Sequence, residues 1–278
     1  MATPWEVDTA VYAEKSKDVS TQDISPLGVT FSSDGSKMYI MGRTNKTVYQ
    51  YTVSTPWDVD TAVYAEKFKY VGDEEMDPYG IAFSSDGTKM YIVGDVTDTI
   101  YQYTLSTEWD VSTATYAEKS KYVGDKESWP TGIAFSSDGT KMYIVGGEDS
   151  STAYQYTLST EWDVSTATYA NKSKYVGDED INSNGIAFSS DGTKMYITGS
   201  LHDTVHQYTL STPWEVDTAV YAEKLKYVGD KETYPWDVAF SPDGTKMYII
   251  GTYTDTVFQY TLPVAPPKVN AIMFGSNF

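Results

Sequence analysis

IAFSSDGTKMYI, residues Ile81 to Ile92, sets two short runs rich in β-branched and aromatic residues on either side of Ser-Asp-Gly-Thr. Such runs favour extended backbone, and Asp-Gly between them tolerates the positive φ of a tight turn, so the stretch predicts two strands joined by a hairpin. The same Asp-Gly pair recurs at Asp34, Asp138, Asp191 and Asp243, with Asp86 second in the series, at spacings of 52, 52, 53 and 52 residues. Trp5, Trp57, Trp109, Trp162 and Trp214 repeat with the same four spacings. A repeated acid is either a multiplied site or a multiplied bend, and the rest of the repeat decides between them.

Working outward from the hairpin, TIYQYTL (Thr99 to Leu105) alternates as a third strand, and STPWDVDTA (Ser54 to Ala62) reads as a connection rich in turn formers. VYAEKFKYVG then supplies a fourth strand, with Tyr64, Glu66 and Phe68 expected on one side of the pleat and Ala65, Lys67 and Lys69 on the other. A four-stranded sheet this apolar on both faces cannot bury itself alone. Radial packing of copies covers both faces, and helix-free repeats of about 50 residues point to a β-propeller.

The phase of the repeat gives the closure. The chain opens inside the connection before a fourth strand and completes its last copy after a third, so one orphan strand, four full copies and three final strands make twenty. The prediction is an all-β, five-bladed β-propeller over residues 1–262, with four antiparallel strands per blade. Ala10 to Val19 is expected to join the last blade beside Thr256 to Leu262 and close the ring, leaving no large sheet edge. Residues 263–278, PVAPPKVNAIMFGSNF, form a Pro-rich tail with an apolar patch at Ile272, Met273 and Phe274, read as a docking segment for an assembly partner.

Composition narrows the partners. With 39 acidic and 20 basic residues the net charge is -19, which disfavours nucleic acid, polyanions and anionic membrane surfaces. No apolar run approaches the length of a membrane span, nothing near the start resembles a basic and then apolar leader, and membrane insertion is not expected. The absence of cysteine excludes disulfides, thiolate nucleophiles and zinc–thiolate sites. The 25 tyrosines and the single arginine, Arg43, follow from copying one module rich in Tyr and Lys.

FSPDGTKMYI, Phe240 to Ile249, resembles the strand pair of YVTN-type and lactonase-like propeller repeats. The longer unit, a third strand of the TIYQYTL kind running into STPWDVDTA, is similar to repeats in propeller proteins of marine bacteria and their phages. The resemblance implies the propeller fold over about 260 residues and an extracellular or virion setting. For function it leaves hydrolases, lectins and scaffolds open, because propellers host all three.

An active site would need convergent acids. The inner strands begin LGVTF, YGIAF, TGIAF, NGIAF and WDVAF, so Asp237 stands where the other copies have Gly28, Gly80, Gly132 and Gly185. One carboxylate cannot serve as both acid and base, and Asp237 with Asn184 falls short of a hard-metal cage. His202 and His206 lie four apart on a strand and loop, a spacing that pairs side chains on a helix but not here, and His206 reads as a variant wall residue. DEEMD (Asp73 to Asp77) and GEDSS (Gly147 to Ser151) lack the spacing of a calcium loop. No catalytic residue, metal or cofactor is therefore expected.

Comparison of the copies locates the variable surface. The Asp-Gly hairpin and the Trp connection barely change, whereas the loops entering the inner strand (TQDISPLG, EEMDPYG, KESWPTG, EDINSNG, KETYPWD) and those between second and third strands diverge. Strand alternation puts the two conserved loop classes on one face and the two divergent classes on the other. Tyr79, Trp129, Asn184, Tyr234, Trp236, Asp237 and Tyr253 are the expected ligand-binding residues, with the aromatics exposed. Rings interleaved with amides and acids suit a glycan or a protein surface, as on a phage virion or cell surface. A lactonase- or glycosidase-type hydrolase and a decorating subunit attached through its tail are the alternatives.

Overall fold

The computed structural model describes residues 4–147 and 150–263, so the proposed docking tail from residue 264 onward lies outside the described residues. The first blade is β2 (Pro26–Phe31), β3 (Lys37–Gly42), β4 (Thr47–Val53) and β5 (Ala62–Tyr70), hydrogen-bonded in that order. The second is β6 (Pro78–Phe83), β7 (Lys89–Gly94), β8 (Thr99–Leu105) and β9 (Ala114–Tyr122). The third is β10 (Pro130–Phe135), β11 (Lys141–Gly146), β12 (Thr152–Leu158) and β13 (Ala167–Tyr175), and the fourth β14 (Ser183–Phe188), β15 (Lys194–Gly199), β16 (Thr204–Leu210) and β17 (Ala219–Tyr227). The fifth joins β18 (Pro235–Phe240), β19 (Lys246–Gly251) and β20 (Thr256–Thr261) to β1 (Val11–Asp18) from the start of the chain.

That last pairing is the predicted closure: β1 runs antiparallel to β20, from Val11 opposite Thr261 to Asp18 opposite Thr256. Among the described residues no helix is long and apolar enough to cross a membrane.

The Asp-Gly pairs build scaffold. Asp86 Oδ1 accepts the Ser84 hydroxyl at 2.6 Å and the Thr88 amide at 3.0 Å, while Gly87 takes φ of 70°. Any Cβ on Gly87 would enter the Trp109 indole, so the glycine also seats the conserved tryptophan. In the equivalent turn the Ser32 hydroxyl, joined by the Ser36 amide, holds Asp34 at a pKa of about 2.

Adjacent blades are fastened by the same contacts around the ring. The Tyr39 hydroxyl donates to the Trp109 carbonyl at 2.7 Å, the Val111 amide donates to Gln50 Oε1 at 3.0 Å, and Lys67 pairs with Asp110 at 2.5 Å. At the closing seam Tyr248 donates to Trp57 and Val59 to Gln259 in the same way. Each seam holds an apolar cluster; that between the last and first blades includes Tyr248, Ile250, Val29 and Ile40.

The outer strands depart from simple alternation. Tyr64 pairs with Tyr51 and Lys67 with Gln50, so Ala65 and Glu66 form a two-residue bulge in which Glu66 has φ of 58°. Two extra residues preserve parity, which keeps Tyr64 and Phe68 on one face as expected and takes Glu66 out of the pleat. Glu14, Glu118, Asn171 and Glu223 repeat the left-handed turn, bending every outer strand.

Candidate functional site

The variable loops are held by a buried acid that the sequence reading passed over. Asp23, Glu75, Glu127, Asp180 and Glu232 occupy equivalent places three residues before each inner strand and are almost wholly buried. Glu232 shows their role: it accepts the amides of Tyr234 at 3.0 Å and Tyr253 at 3.1 Å, and both the amide and hydroxyl of Thr254. One carboxylate thus clamps both divergent loops of its blade. The signal was present in the chain as an acid at a fixed place in otherwise variable segments.

At the variable face the second residue of each inner strand faces the axis. Tyr79 on β6 and Trp236 on β18 belong to blades that are not neighbours, yet their ring centroids lie 5.4 Å apart, tilted at 47°. The pair closes this end of the central channel. Tyr79 is 1% exposed, which corrects the expectation that it stands free; an axial position is the most crowded in a narrow ring. Trp236, also axial, is half-buried, as is Trp129 in the loop before β10. The Arg43 guanidinium lies 5.0 Å from the Tyr79 ring and grips Asp77 through two bonds of 2.5 and 2.6 Å. Burial pushes the Tyr79 phenol up to about 12, and burial with the nearby Asp77 raises Asp95 to about 6 against the pull of Arg43.

Beside this plug, loops of the third, fourth and fifth blades converge on a cleft of about 200 Å³ lined by Trp129, Thr131, Gly147, Asn182, Asn184, Ser200, Tyr234 and Trp236. Four expected residues meet here: Trp129, Asn184, Tyr234 and Trp236. Tyr79 packs against the cleft's Trp236, whereas Tyr253, 70% exposed, lies on the adjoining β19–β20 loop outside the lining. Asn182 and Ser200 were not predicted. Trp129 Nε1, Trp236 Nε1 and Tyr79 Oη are buried without a well-formed hydrogen bond.

Asp237 falls elsewhere, in the channel behind the plug. This cavity of about 310 Å³ opens among the Asp-Gly hairpins, and its lining includes Val29, Ile81, Ile133, Ile186 and Val238. Protein surrounds Asp237 although one edge remains accessible from the channel, and that burial raises its carboxyl to about 7 despite hydrogen bonds from the Val29 and Val238 amides. It has no second acid beside it in the lining. Among the described residues no three His, Cys, Asp or Glu side chains converge as a metal site, while Glu148 and Asp149 of the GEDSS segment lie outside them. His206 is a buried wall residue whose imidazole desolvation holds below its ordinary pKa, packed 5.9 Å from Tyr221.

The fold and the cleft define a β-propeller with one asymmetric rim. The chain belongs to the family described as lactonase, 7-bladed β-propeller, whose model matches residues 72–266, although the ring here closes with five blades. No curated protein matches it. Among solved structures it is similar to a protein of Bacteroides uniformis provisionally named a 6-phosphogluconolactonase, at 14% identity and a TM-score of 0.52, covering 84% of this chain and 65% of that one. A second provisional 6-phosphogluconolactonase, from Bacteroides fragilis, matches at 15% identity and TM-score 0.50, covering 84% and 65%. A Lactobacillus plantarum protein matches at 15% and 0.52, covering 85% and 67%. This chain spans about two thirds of their lengths, and likeness at such identity shows the fold alone.

Proposed function

We propose that the propeller is a binding module that takes a glycan or protein partner in the cleft between its third, fourth and fifth blades. The observation that carries this reading is the convergence there of Trp129, Asn184, Tyr234 and Trp236 from three different blades. Resemblance of the Trp-connection repeat to phage and marine bacterial propellers supports a virion or cell-surface setting. In that setting, residues 263–278 would join the propeller to its assembly.

The names of the structural neighbours raise lactone hydrolysis as the second reading. Water attack on a lactone needs a positioned base, and Asp237, the one acid among the described residues lining the channel, has both oxygens engaged by backbone amides. A phosphorylated sugar would need a cation as well, and among the described residues neither cleft nor channel lining contains one. Binding fits these residues better than turnover.

A glycan array run beside a pull-down from the source particle or cell tests the proposal. Binding should disappear in Trp129→Ala combined with Tyr234→Ala; retention of full binding by a folded double variant would dispose of the cleft.

A further inference from the structure

We infer that the cleft is a subsite for a neutral sugar ring, an inference that rests on the binding reading above and narrows it. Charge is the first ground. The chain carries 39 acids, yet none of the eight described lining residues is charged. The acids beneath them are committed: Glu127 accepts the Trp129 amide, Asp180 the Asn182 and His202 amides, and Glu232 the amides of Tyr234, Tyr253 and Thr254. Asp203 lines an adjoining groove. A sialylated, sulfated or phosphorylated ligand would find no cation to replace its lost hydration.

The polar groups that remain match hydroxyls. Asn182 and Asn184 offer amide donors and acceptors and Ser200 offers a hydroxyl, whereas the Thr131 hydroxyl donates to the Asn184 carbonyl at 2.8 Å. Asn184 is preset, its Nδ2 donating to the Pro235 carbonyl at 3.3 Å, and a Cβ on Gly147 would come within 3.5 Å of its Oδ1. Tyr234, 55% exposed, and Trp129 supply aromatic surface for the C–H face of a ring.

Size decides between a sugar and a protein. About 200 Å³ is below the roughly 300–1,000 Å³ of drug-sized sites, and room for one ring suffices to occupy it. A stable protein interface covers about 800 Å² per partner, so a protein would have to contact the surrounding face as well as the cleft.

The test uses the full chain against immobilised neutral gluco-, galacto- and manno-oligosaccharides with their sialylated and sulfated counterparts, at low and high salt. Expected is binding of a neutral glycan that changes less than about twofold with salt. Trp129→Ala, which removes one aromatic wall of the cleft, should weaken it about tenfold, and Tyr234→Ala should weaken it further with the fold intact by circular dichroism. Preference for anionic glycans, or capture of a protein partner that depends on the same residues, would overturn the sugar assignment and leave the cleft standing. Neutral-glycan binding indifferent to both substitutions would remove the cleft itself, and no binding to any glycan would overturn the inference.

Discussion

Asp237 Oδ2 accepts the Val29 amide at 3.0 Å, joining the inner strands of the last and first blades. The other four seams have glycine at this place because a Cβ would crowd the next blade: 2.6 Å from the Thr131 carbonyl at Gly80, 2.6 Å from the Asn184 carbonyl at Gly132 and 2.8 Å from the Asp237 Cα at Gly185. The closing seam alone holds a side chain there, and it is an ionisable one.

Its titration should be visible in stability. Folding raises the Asp237 carboxyl from 3.8 to about 7 through burial, so the folded state binds the proton more tightly than the unfolded one. The contribution of this group is therefore full below about pH 4 and is lost as pH rises through about 7, by up to about 4 kcal/mol. In denaturant melts across pH, wild type should lose stability relative to Asp237→Asn over that window. Parallel curves for the two proteins would contradict the assignment.

The same seam shows what sequence can and cannot reveal. Asp237 was legible as the odd residue among four glycines, and the Asp-Gly ruler gave blade number, hairpins and the β1–β20 closure, since these follow from local patterns and a regular period. The Tyr79–Trp236 contact was not legible, because it joins residues 157 positions apart across the axis and depends on the ring's width. Nor was the Glu66 bulge, whose pairing only becomes apparent opposite Gln50 and Tyr51. Trp129 and Tyr234 could be named as aromatics in variable loops, but their meeting with Asn182 and Ser200 required the packing of three blades.

Glu232 and Glu75 separate stability from cleft geometry. Glu232→Ala strands the donors of Tyr234, Tyr253 and Thr254, and should cost roughly 3 kcal/mol while loosening the cleft's Tyr234. Glu75→Ala removes the equivalent clamp on Asp77 and Thr97, whose loops do not line the cleft. Both melts should fall, but only Glu232→Ala should weaken ligand binding; equal loss of binding in both would show that the clamps act on the disc as a whole.

At the Asp86-Gly87 hairpin, glycine should matter more than the acid. Gly87→Ala places a methyl at φ of 70° and into the Trp109 ring, and should cost about 2 kcal/mol or more. Asp86→Asn keeps an acceptor for Ser84 and Thr88 and should cost under about 1 kcal/mol, with cleft binding unchanged. Thermal melts of the two variants, with a binding assay, check both statements; loss of binding in Asp86→Asn would reopen the Asp-Gly pair as a site.

The chain's first twenty residues tie together two blades. β1 is the outer strand of the fifth, with Tyr12 edge-on to Phe258 at 6.1 Å and Tyr260 at 5.8 Å. Ahead of it, the Trp5 carbonyl accepts the Tyr196 hydroxyl at 2.7 Å, and Glu6 accepts Lys194, Lys224 and Gln207, all from the fourth blade. Deleting residues 1–20 would bare the β20 edge and leave those fourth-blade groups without partners, so the melting temperature should drop on the order of 10 °C. A bare edge also pairs with other chains, and concentration-dependent association should appear by light scattering. Adding back a peptide of residues 4–20 should restore part of the melt, since the strand's register on β20 is set by its side chains. A truncated protein that melts like the full chain and stays monomeric would show that the ring does not need this strand to close.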